Sequence, residues 1–141
     1  MSAGAGLGAY RNGDRIRLPE FVPSTRPAAV RLVMSARLNF MRGTDEGEVF
    51  DQLSQQFPNH RIYRAAYAQT AVVTGAADAM VDAHNHISNL GASQVLIEET
   101  SGAYTVVRDF ETTDGRLLTA VFGKRGLVGR LANVFAETKS A

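Results

Sequence analysis

The chain contains no cysteine, and this absence excludes several chemistries. Without thiols the protein forms no disulfide, carries no thiolate nucleophile and offers no cysteine-ligated zinc site. No apolar run approaches the about 18 residues that a membrane-spanning helix needs, and the N-terminal region lacks the apolar block of a secretory signal. Together these absences predict a cytoplasmic protein.

The usual catalytic signatures are missing as well. No HExxH, GxSxG, SxxK or P-loop pattern occurs, so the sequence shows no common mark of metal-dependent hydrolysis, serine nucleophiles or phosphoryl transfer. What remains is the composition of a soluble globular protein of 141 residues, 45% hydrophobic and 21% charged. This length predicts a single domain with one hydrophobic core.

The net charge of +1 hides an uneven distribution. Residues 1–43 hold seven arginines and two acidic side chains, a local balance of +5, whereas residues 44–141 balance at −4. Glycines at positions 4, 6, 8 and 13 and prolines at 19, 23 and 27 favour an irregular, extended N-terminus. We therefore predict a basic extended arm at residues 1–27, followed by one α+β domain at residues 28–141.

Residues 30–40 alternate between apolar and mainly polar side chains. The apolar positions are Val30, Leu32, Met34, Ala36, Leu38 and Phe40. Period two is typical of a half-buried strand whose polar face is open to water or to a partner. The pattern therefore places Arg31 and Arg37 on that open face, and it predicts that Leu32 and Leu38 belong to the core.

The remaining patterns complete the predicted architecture. Apolar residues recur at helical spacing at about 45–57, 74–90 and 126–137, and Gly91 would end the second of these helices. Short β runs occupy 94–99, 103–111 and 116–123, while 61–73 fits a strand or a helix, with a strand favoured. The sequence thus predicts an α+β fold: a mixed β-sheet packed by about three helices, in the order β-α-β-α-β-β-β-α.

The most enzyme-like stretch is DAMVDAHNHISN, residues 78–89. On a helix, Asp78, Asp82 and His86 would lie along one stripe within reach of one divalent ion, while His84 would point elsewhere. A solvated helical face is the favoured interpretation, because no second group of ligands accompanies the stripe. The sequence therefore predicts no metal, no cofactor and no catalytic residue.

Arginine is concentrated where an anion could bind. The candidates for an anion-binding or nucleic-acid-binding surface are Arg11, Arg15, Arg17, Arg26, Arg31 and Arg37. Guanidinium groups suit phosphate and carboxylate equally well. Elsewhere, His60 lies beside Arg61 and Arg64, and Tyr63 and Tyr67 are the main aromatic candidates for stacking with a base. We predict electrostatic attachment rather than base reading.

Two functions fit these features. The favoured one is a non-enzymatic structural protein of a virion-like or ribonucleoprotein-like particle, whose arm and first-strand face engage a neighbouring subunit, a nucleic acid or both. Leu18, Phe21 and Val22 would then contact the neighbouring subunit, and the chain would be a homo-oligomer or part of a larger assembly, with no membrane partner. The alternative is a small enzyme or ligand-binding domain with a pocket between sheet and helices, using one or more of Asp78, Asp82, His84 and His86.

Overall fold

The computed structural model describes residues 2–4, 6–11, 13–42, 45–63, 70–86, 91–113 and 115–139. The strands in these ranges are β1 Ser2–Gly4, β2 Gly8–Arg11, β3 Asp14–Ile16, β4 Leu32–Met34, β5 His60–Ile62, β6 Ala79–His86, β7 Ala103–Thr112 and β8 Gly115–Gly123. The α-helices are α1 Gly47–Gln56, α2 Gly91–Glu99 and α3 Arg125–Lys139, with short 3-10 helices at Pro27–Ala29 and Arg37–Met41. Within the described ranges, no helix has the length and apolarity needed to cross a bilayer.

A five-stranded mixed sheet organises the chain, in the order β5-β4-β6-β8-β7. β4 runs parallel to β5 and to β6, whereas β8 runs antiparallel to β6 and to β7. The predicted α+β class with a mixed sheet is therefore confirmed. Helix α1, the hairpin of β7 and β8, and helix α3 also lie close to their predicted positions.

Apolar side chains cover both faces of this sheet. On one face α1 and α3 form what we call the helical core, whose main side chains are Phe40, Val49, Leu53, Phe57, Leu127, Leu131 and Phe135. On the other face, α2 and the helical residues 70–73 contribute to what we call the opposite core, with Leu18, Val33, Val72, Met80, Ile97 and Phe122. The sheet is thus the middle layer of three.

The prediction of a half-buried strand at residues 30–40 is wrong in two respects. The strand β4 spans only Leu32–Met34, and all three of its residues are buried, because a parallel strand inside a sheet is covered on both faces. Residues Arg37–Met41 form a 3-10 helix instead of a strand, which leaves Leu38 76% exposed. Arg31 and Arg37 therefore lie at opposite ends of β4 rather than on one open face.

The prediction of a helix at residues 74–90 is also wrong. Residues Ala79–His86 form β6 in the middle of the sheet, and α2 begins at Gly91, where the predicted helix would end. The sequence pattern missed this strand because Asp78, Asp82 and His84 are buried although they are polar. Polar residues at this spacing are typical of the solvated face of a helix. The run 94–99, predicted as a strand, belongs to α2. The ambiguous segment 61–73 begins in β5 and is helical at 70–73, and its residues 64–69 lie outside the described ranges.

The N-terminal residues are more regular than the sequence suggests. β1, β2 and β3 form a small antiparallel sheet, with Gly6 and Gly13 at positive φ in its turns. This sheet contacts α2, where the Gly8 backbone N–H donates a 2.6 Å hydrogen bond to the Glu99 carboxylate. Two of the glycines that predicted an irregular arm, Gly6 and Gly13, therefore lie in tight turns between short strands. The division into an arm at 1–27 and a domain at 28–141 stays a prediction.

Candidate functional site

A cavity of about 360 Å³ opens beside the edge strand β5, on the side of the opposite core; we call it the β5 cavity. Its polar lining consists of Arg31, Asn59, Arg61 and Tyr63. Side chains two apart in a strand point the same way, so the parallel pairing of Val33 with Arg61 brings these groups onto one surface. Small apolar side chains complete the wall, namely Leu32, Val33, Ala71, Ala76 and Ala77.

Arg31 is held at the cavity by Asp78. The Arg31 backbone N–H and guanidinium both donate to the Asp78 carboxylate, at 2.8 Å and 3.1 Å. Lys124 donates to the same carboxylate at 2.7 Å. Burial alone would raise the pKa of Asp78, but the hydrogen bonds from Lys124 and Arg31 outweigh burial and hold that pKa below its ordinary value. Two cations thus share one carboxylate, which leaves a net positive charge beside the cavity.

Arg61 and Tyr63 supply a second cation and an aromatic ring. The Arg61 side chain is exposed, and its one hydrogen bond among the described residues goes to the neighbouring His60 carbonyl at 3.0 Å. Within the described ranges no carboxylate pairs with Arg61. Tyr63 is 47% exposed. The β5 cavity therefore presents two guanidinium groups and a ring, a combination that suits an anion with a planar part.

A second polar group lies at the carboxyl ends of the parallel strands. Ser35 follows β4 and donates to the Asp82 carboxylate at 3.3 Å, and Asn85 donates to the same carboxylate at 3.2 Å. Asp82 is only 2% exposed, so burial raises the pKa of its carboxyl despite both donors. Burial, with the charges of Asp82 and Glu98 nearby, likewise raises the pKa of Tyr104 to about 12. Asp82 is thus sealed inside the protein and does not line the β5 cavity.

Two β-bulges create a third polar group on the opposite face of the sheet. Strand β6 has one extra residue between Asp82 and Asn85, and β7 has one between Val106 and Arg108. Both bulges lie opposite Thr119 of β8. His84, at a φ of 46°, donates its backbone N–H to the Thr119 hydroxyl. The bulges therefore turn the side chains of His84 and Arg108 toward the helical core.

There His84 and Arg108 share one carboxylate, that of Glu46. The Glu46 oxygens lie 2.8 Å from His84 Nε2 and 2.9 Å from Arg108 Nε. Arg108 also donates to the Phe135 carbonyl and stacks over the Phe135 ring. His84 Nδ1 is buried without a hydrogen-bond partner among the described residues. His84 and Glu46 are buried, whereas the Arg108 side chain is 19% exposed, and the network links β6 and β7 to α1 and α3.

The candidate metal-binding stripe of Asp78, Asp82 and His86 has no helix to form on, because Asp78 directly precedes β6 and the other two residues belong to that strand. In the described ranges, no three His, Asp or Glu side chains lie close enough to hold a metal ion. Asp78 and Asp82 lie four residues apart along an extended chain, about 13 Å at the usual rise of a strand, and each has its own donors. The side chain of His86 lies outside the described part. The described residues therefore provide binding groups, without a catalytic constellation.

The arginines of the predicted anion-binding surface are dispersed. Arg15, Arg17 and Arg26 are exposed, the Arg11 side chain lies outside the described part, and Arg37 forms a bidentate pair with Asp51 of α1. Of the five whose side chains are described, only Arg31 lines the β5 cavity. Leu18 and Phe21 are buried in this chain's own cores, whereas Val22 is 59% exposed. The predicted roles of these nine residues stay predictions.

Sequence reasoning missed Ser35, Glu46 and Arg108. In the sequence, Ser35 is only one of the polar positions that alternate in residues 30–40, and Glu46 is only one of several acids near a helix N-terminus. One signal for Arg108 was available, because Val106 and Val107 break the alternation of β7 just before it, as a bulge does. The closeness of Arg31 and Arg61 at the cavity had no local signal, since it arises from the order of strands in the sheet.

Comparison with known proteins identifies the fold. No protein-family model and no curated protein sequence matches the chain. Among solved structures, staphylococcal inositol monophosphatase II with bound 2′-AMP is 20% identical, with a TM-score of 0.73 over 97% of this chain. The chain shares its fold with about half of an inositol monophosphatase. The match covers 51% of the staphylococcal chain, and the inositol monophosphatase of Thermotoga maritima gives 18% identity, a TM-score of 0.71 and coverage of 98% and 51%.

This likeness overturns the favoured function. The prediction of a non-enzymatic structural protein that engages a neighbouring subunit, a nucleic acid or both is wrong, because the matching structures named above are inositol monophosphatases. The arginine-rich N-terminus misled the prediction, since charge clustering reports on solubility and attraction rather than on fold. The alternative, a small enzyme or ligand-binding domain, fits better.

Proposed function

We propose that this chain is part of an enzyme that acts on small phosphate monoesters, and that it binds them in the β5 cavity. The observation that carries the proposal is the fold, which matches across 97% of the chain a staphylococcal protein solved with bound 2′-AMP. The same protein was also solved with bound inositol monophosphate, at a TM-score of 0.73.

The cavity supports the proposal on its own physical grounds. A volume of about 360 Å³ is within the usual range for small-molecule sites. Arg31 retains unused N–H donors after its bond to Asp78, and Arg61 is exposed beside it, so a phosphate could receive hydrogen bonds from both. Charge-assisted hydrogen bonds of this kind are about twice as strong as neutral ones.

We assign substrate binding, and not bond cleavage, to the described residues. The carboxyl groups of Asp82 and Glu46 are buried, and Arg31, Asn59 and Arg61 of the cavity are not nucleophiles. The chain spans about half the length of the structures it matches. Cleavage of the phosphate ester would therefore rely on groups beyond those described.

Calorimetric titration of the full-length protein with inositol monophosphate and with 2′-AMP tests the binding. We expect binding of at least one ester, weakened about tenfold or more by Arg61→Ala, in line with the loss of a hydrogen bond to a charged group. Arg26→Ala, an exposed arginine outside the cavity, is the matched control and should leave the affinity unchanged. If the folded protein binds neither ester, the proposal fails.

Release of inorganic phosphate from the same esters tests the enzymatic part. Release that Arg61→Ala weakens and Arg26→Ala does not would support an enzyme. Binding without release by the full-length protein would contradict the enzyme and leave a ligand-binding domain. A cytoplasmic location and self-association also stay proposals, to be checked by cell fractionation and by light scattering.

A further inference from the structure

We infer that the β5 cavity selects phosphate monoesters that carry a planar aromatic group over those of polyhydroxylated rings. This inference rests on the proposed function and deepens it, since it names the class of ester. It is carried by the composition of the described cavity wall, whose polar side chains are mainly donors and whose other lining side chains are apolar.

A polyol phosphate would bind weakly to this wall. Each ring hydroxyl that leaves water needs an acceptor for its hydrogen, or its desolvation goes uncompensated. Arg31 and Arg61 are donors only, so among the described lining residues the side-chain acceptors are the Asn59 amide oxygen and the Tyr63 hydroxyl. Asp82, a carboxylate that could accept from hydroxyls, is 2% exposed and already bound by Ser35 and Asn85.

A planar aromatic group would make favourable contacts with the same wall. Tyr63 offers a half-exposed ring, and the guanidinium planes of Arg31 and Arg61 can stack as well as donate. The methyl groups of Ala71, Ala76 and Ala77 also line the cavity and provide apolar surface against which a flat ring can lie. The phosphate would then be bound by whichever guanidinium edges remain free.

The experiment compares four ligands on the full-length protein by calorimetric titration. These are 2′-AMP, phenyl phosphate, inositol monophosphate and adenosine. Stacking of a base on an aromatic side chain gives about tenfold or more in affinity. We therefore expect 2′-AMP to bind about tenfold more tightly than inositol monophosphate. Phenyl phosphate should share this advantage if any aryl group suffices. Weak binding of phenyl phosphate together with tight binding of 2′-AMP would restrict the preferred esters to nucleotides.

Variants assign the preference to Tyr63. Tyr63→Ala should bring the affinities of 2′-AMP and inositol monophosphate together, whereas Tyr63→Phe keeps the ring and should keep the preference. Tyr10→Ala, an exposed tyrosine of β2 outside the cavity, is the control and should change neither affinity. An undiminished preference in Tyr63→Ala would overturn the role of Tyr63 in selection.

The outcomes separate this inference from the proposed function. Inositol monophosphate binding as tightly as 2′-AMP, or more tightly, would overturn the selectivity and leave the phosphate site standing. Failure of all three phosphates to bind the folded protein would overturn both. Adenosine binding as tightly as 2′-AMP would show that the phosphate is not recognised. That result would overturn both the selectivity and the proposed function.

Discussion

Asp82 is a carboxyl that the fold keeps from water on a central strand. It accepts hydrogen bonds from Ser35 and Asn85, yet burial dominates and raises the pKa of the carboxyl. A group whose pKa rises on folding binds protons more readily in the folded state, so its ionisation opposes folding. The cost is absent below the ordinary pKa of 3.8 and grows as the pH rises through the folded value.

Asp82→Asn should therefore stabilise the protein at neutral pH. The amide oxygen can still accept from Ser35 and Asn85, and the buried charge is removed. We expect a higher free energy of unfolding than in the wild type at pH 7, with the difference shrinking toward pH 4. Denaturant unfolding at the two pH values measures this. A variant that is less stable at pH 7 would show that the ionised carboxylate supports the fold.

Residue roles were only partly predictable from the sequence. Arg31 could be proposed as an anion-binding residue because arginines cluster around it, and it does line the β5 cavity. Its neighbour there, Arg61, lies thirty positions away in the sequence and is brought close by the parallel pairing of β4 with β5. Such long-range pairing leaves no trace in a local pattern, so the cavity itself could not be predicted.

At the scale of elements, β4 and the following 3-10 helix separate two leucines that the sequence treats alike. Leu32 is 1% exposed in the middle of the sheet, whereas Leu38 is 76% exposed. Leu32→Ala should cost about 2 to 5 kcal/mol, because it removes packed methyl groups and leaves a cavity. Leu38→Ala should change stability by less than about 0.5 kcal/mol, as surface substitutions usually do.

Chemical denaturation of the two variants provides the comparison. Each serves as the other's control, since the substitution is the same and only the burial differs. Equal losses of unfolding free energy in the two variants would show that Leu38 is buried in the core. They would support the longer strand that the alternation of residues 30–40 predicts.

The elements that could be predicted are those whose local signals agree. Helix α1 has its apolar stripe and acidic start, and Asp114-Gly115 marks the hairpin from which β7 and β8 pair outward, beginning at Thr112 and Gly115. Part of helix α2 was predicted as a strand, and strand β6 was predicted as a helix, because the local signals in each segment conflict. In β6 the buried polar residues mask the alternation, and in α2 a short apolar run fits either structure.

At the scale of the whole molecule, Asp78 ties together distant parts of the chain. Its side chain accepts from Arg31, just before β4, and from Lys124, between β8 and α3, while its own carbonyl accepts from the Lys124 backbone N–H. Because these donors hold the pKa of Asp78 below its ordinary value, its charge stabilises the fold above about pH 4, and this stabilisation is lost as the pH falls through the folded pKa.

Asp78→Asn should therefore destabilise the protein at pH 7, and the loss should fade as the pH is lowered below 3.8. It leaves Arg31 and Lys124 without a partner of opposite charge at a half-buried position. Thermal unfolding between pH 3 and pH 7 measures the effect. Asp51→Asn, which breaks the exposed pair with Arg37, is the control and should change the unfolding temperature little. A pH-independent loss would point to packing instead of charge.

The two bulges opposite Thr119 also bear on how this chain can change in length. Each bulge is a one-residue insertion that the ladder has absorbed, since Val106 pairs with Ala120 and Arg108 with Thr119 on either side of Val107. Deleting Val107 would leave every neighbouring residue facing the side it faces now, whereas a deletion elsewhere in β7 would turn the rest of the strand inside out. In related chains, a single-residue gap at this point should therefore be tolerated, while gaps at other positions of the strand should not.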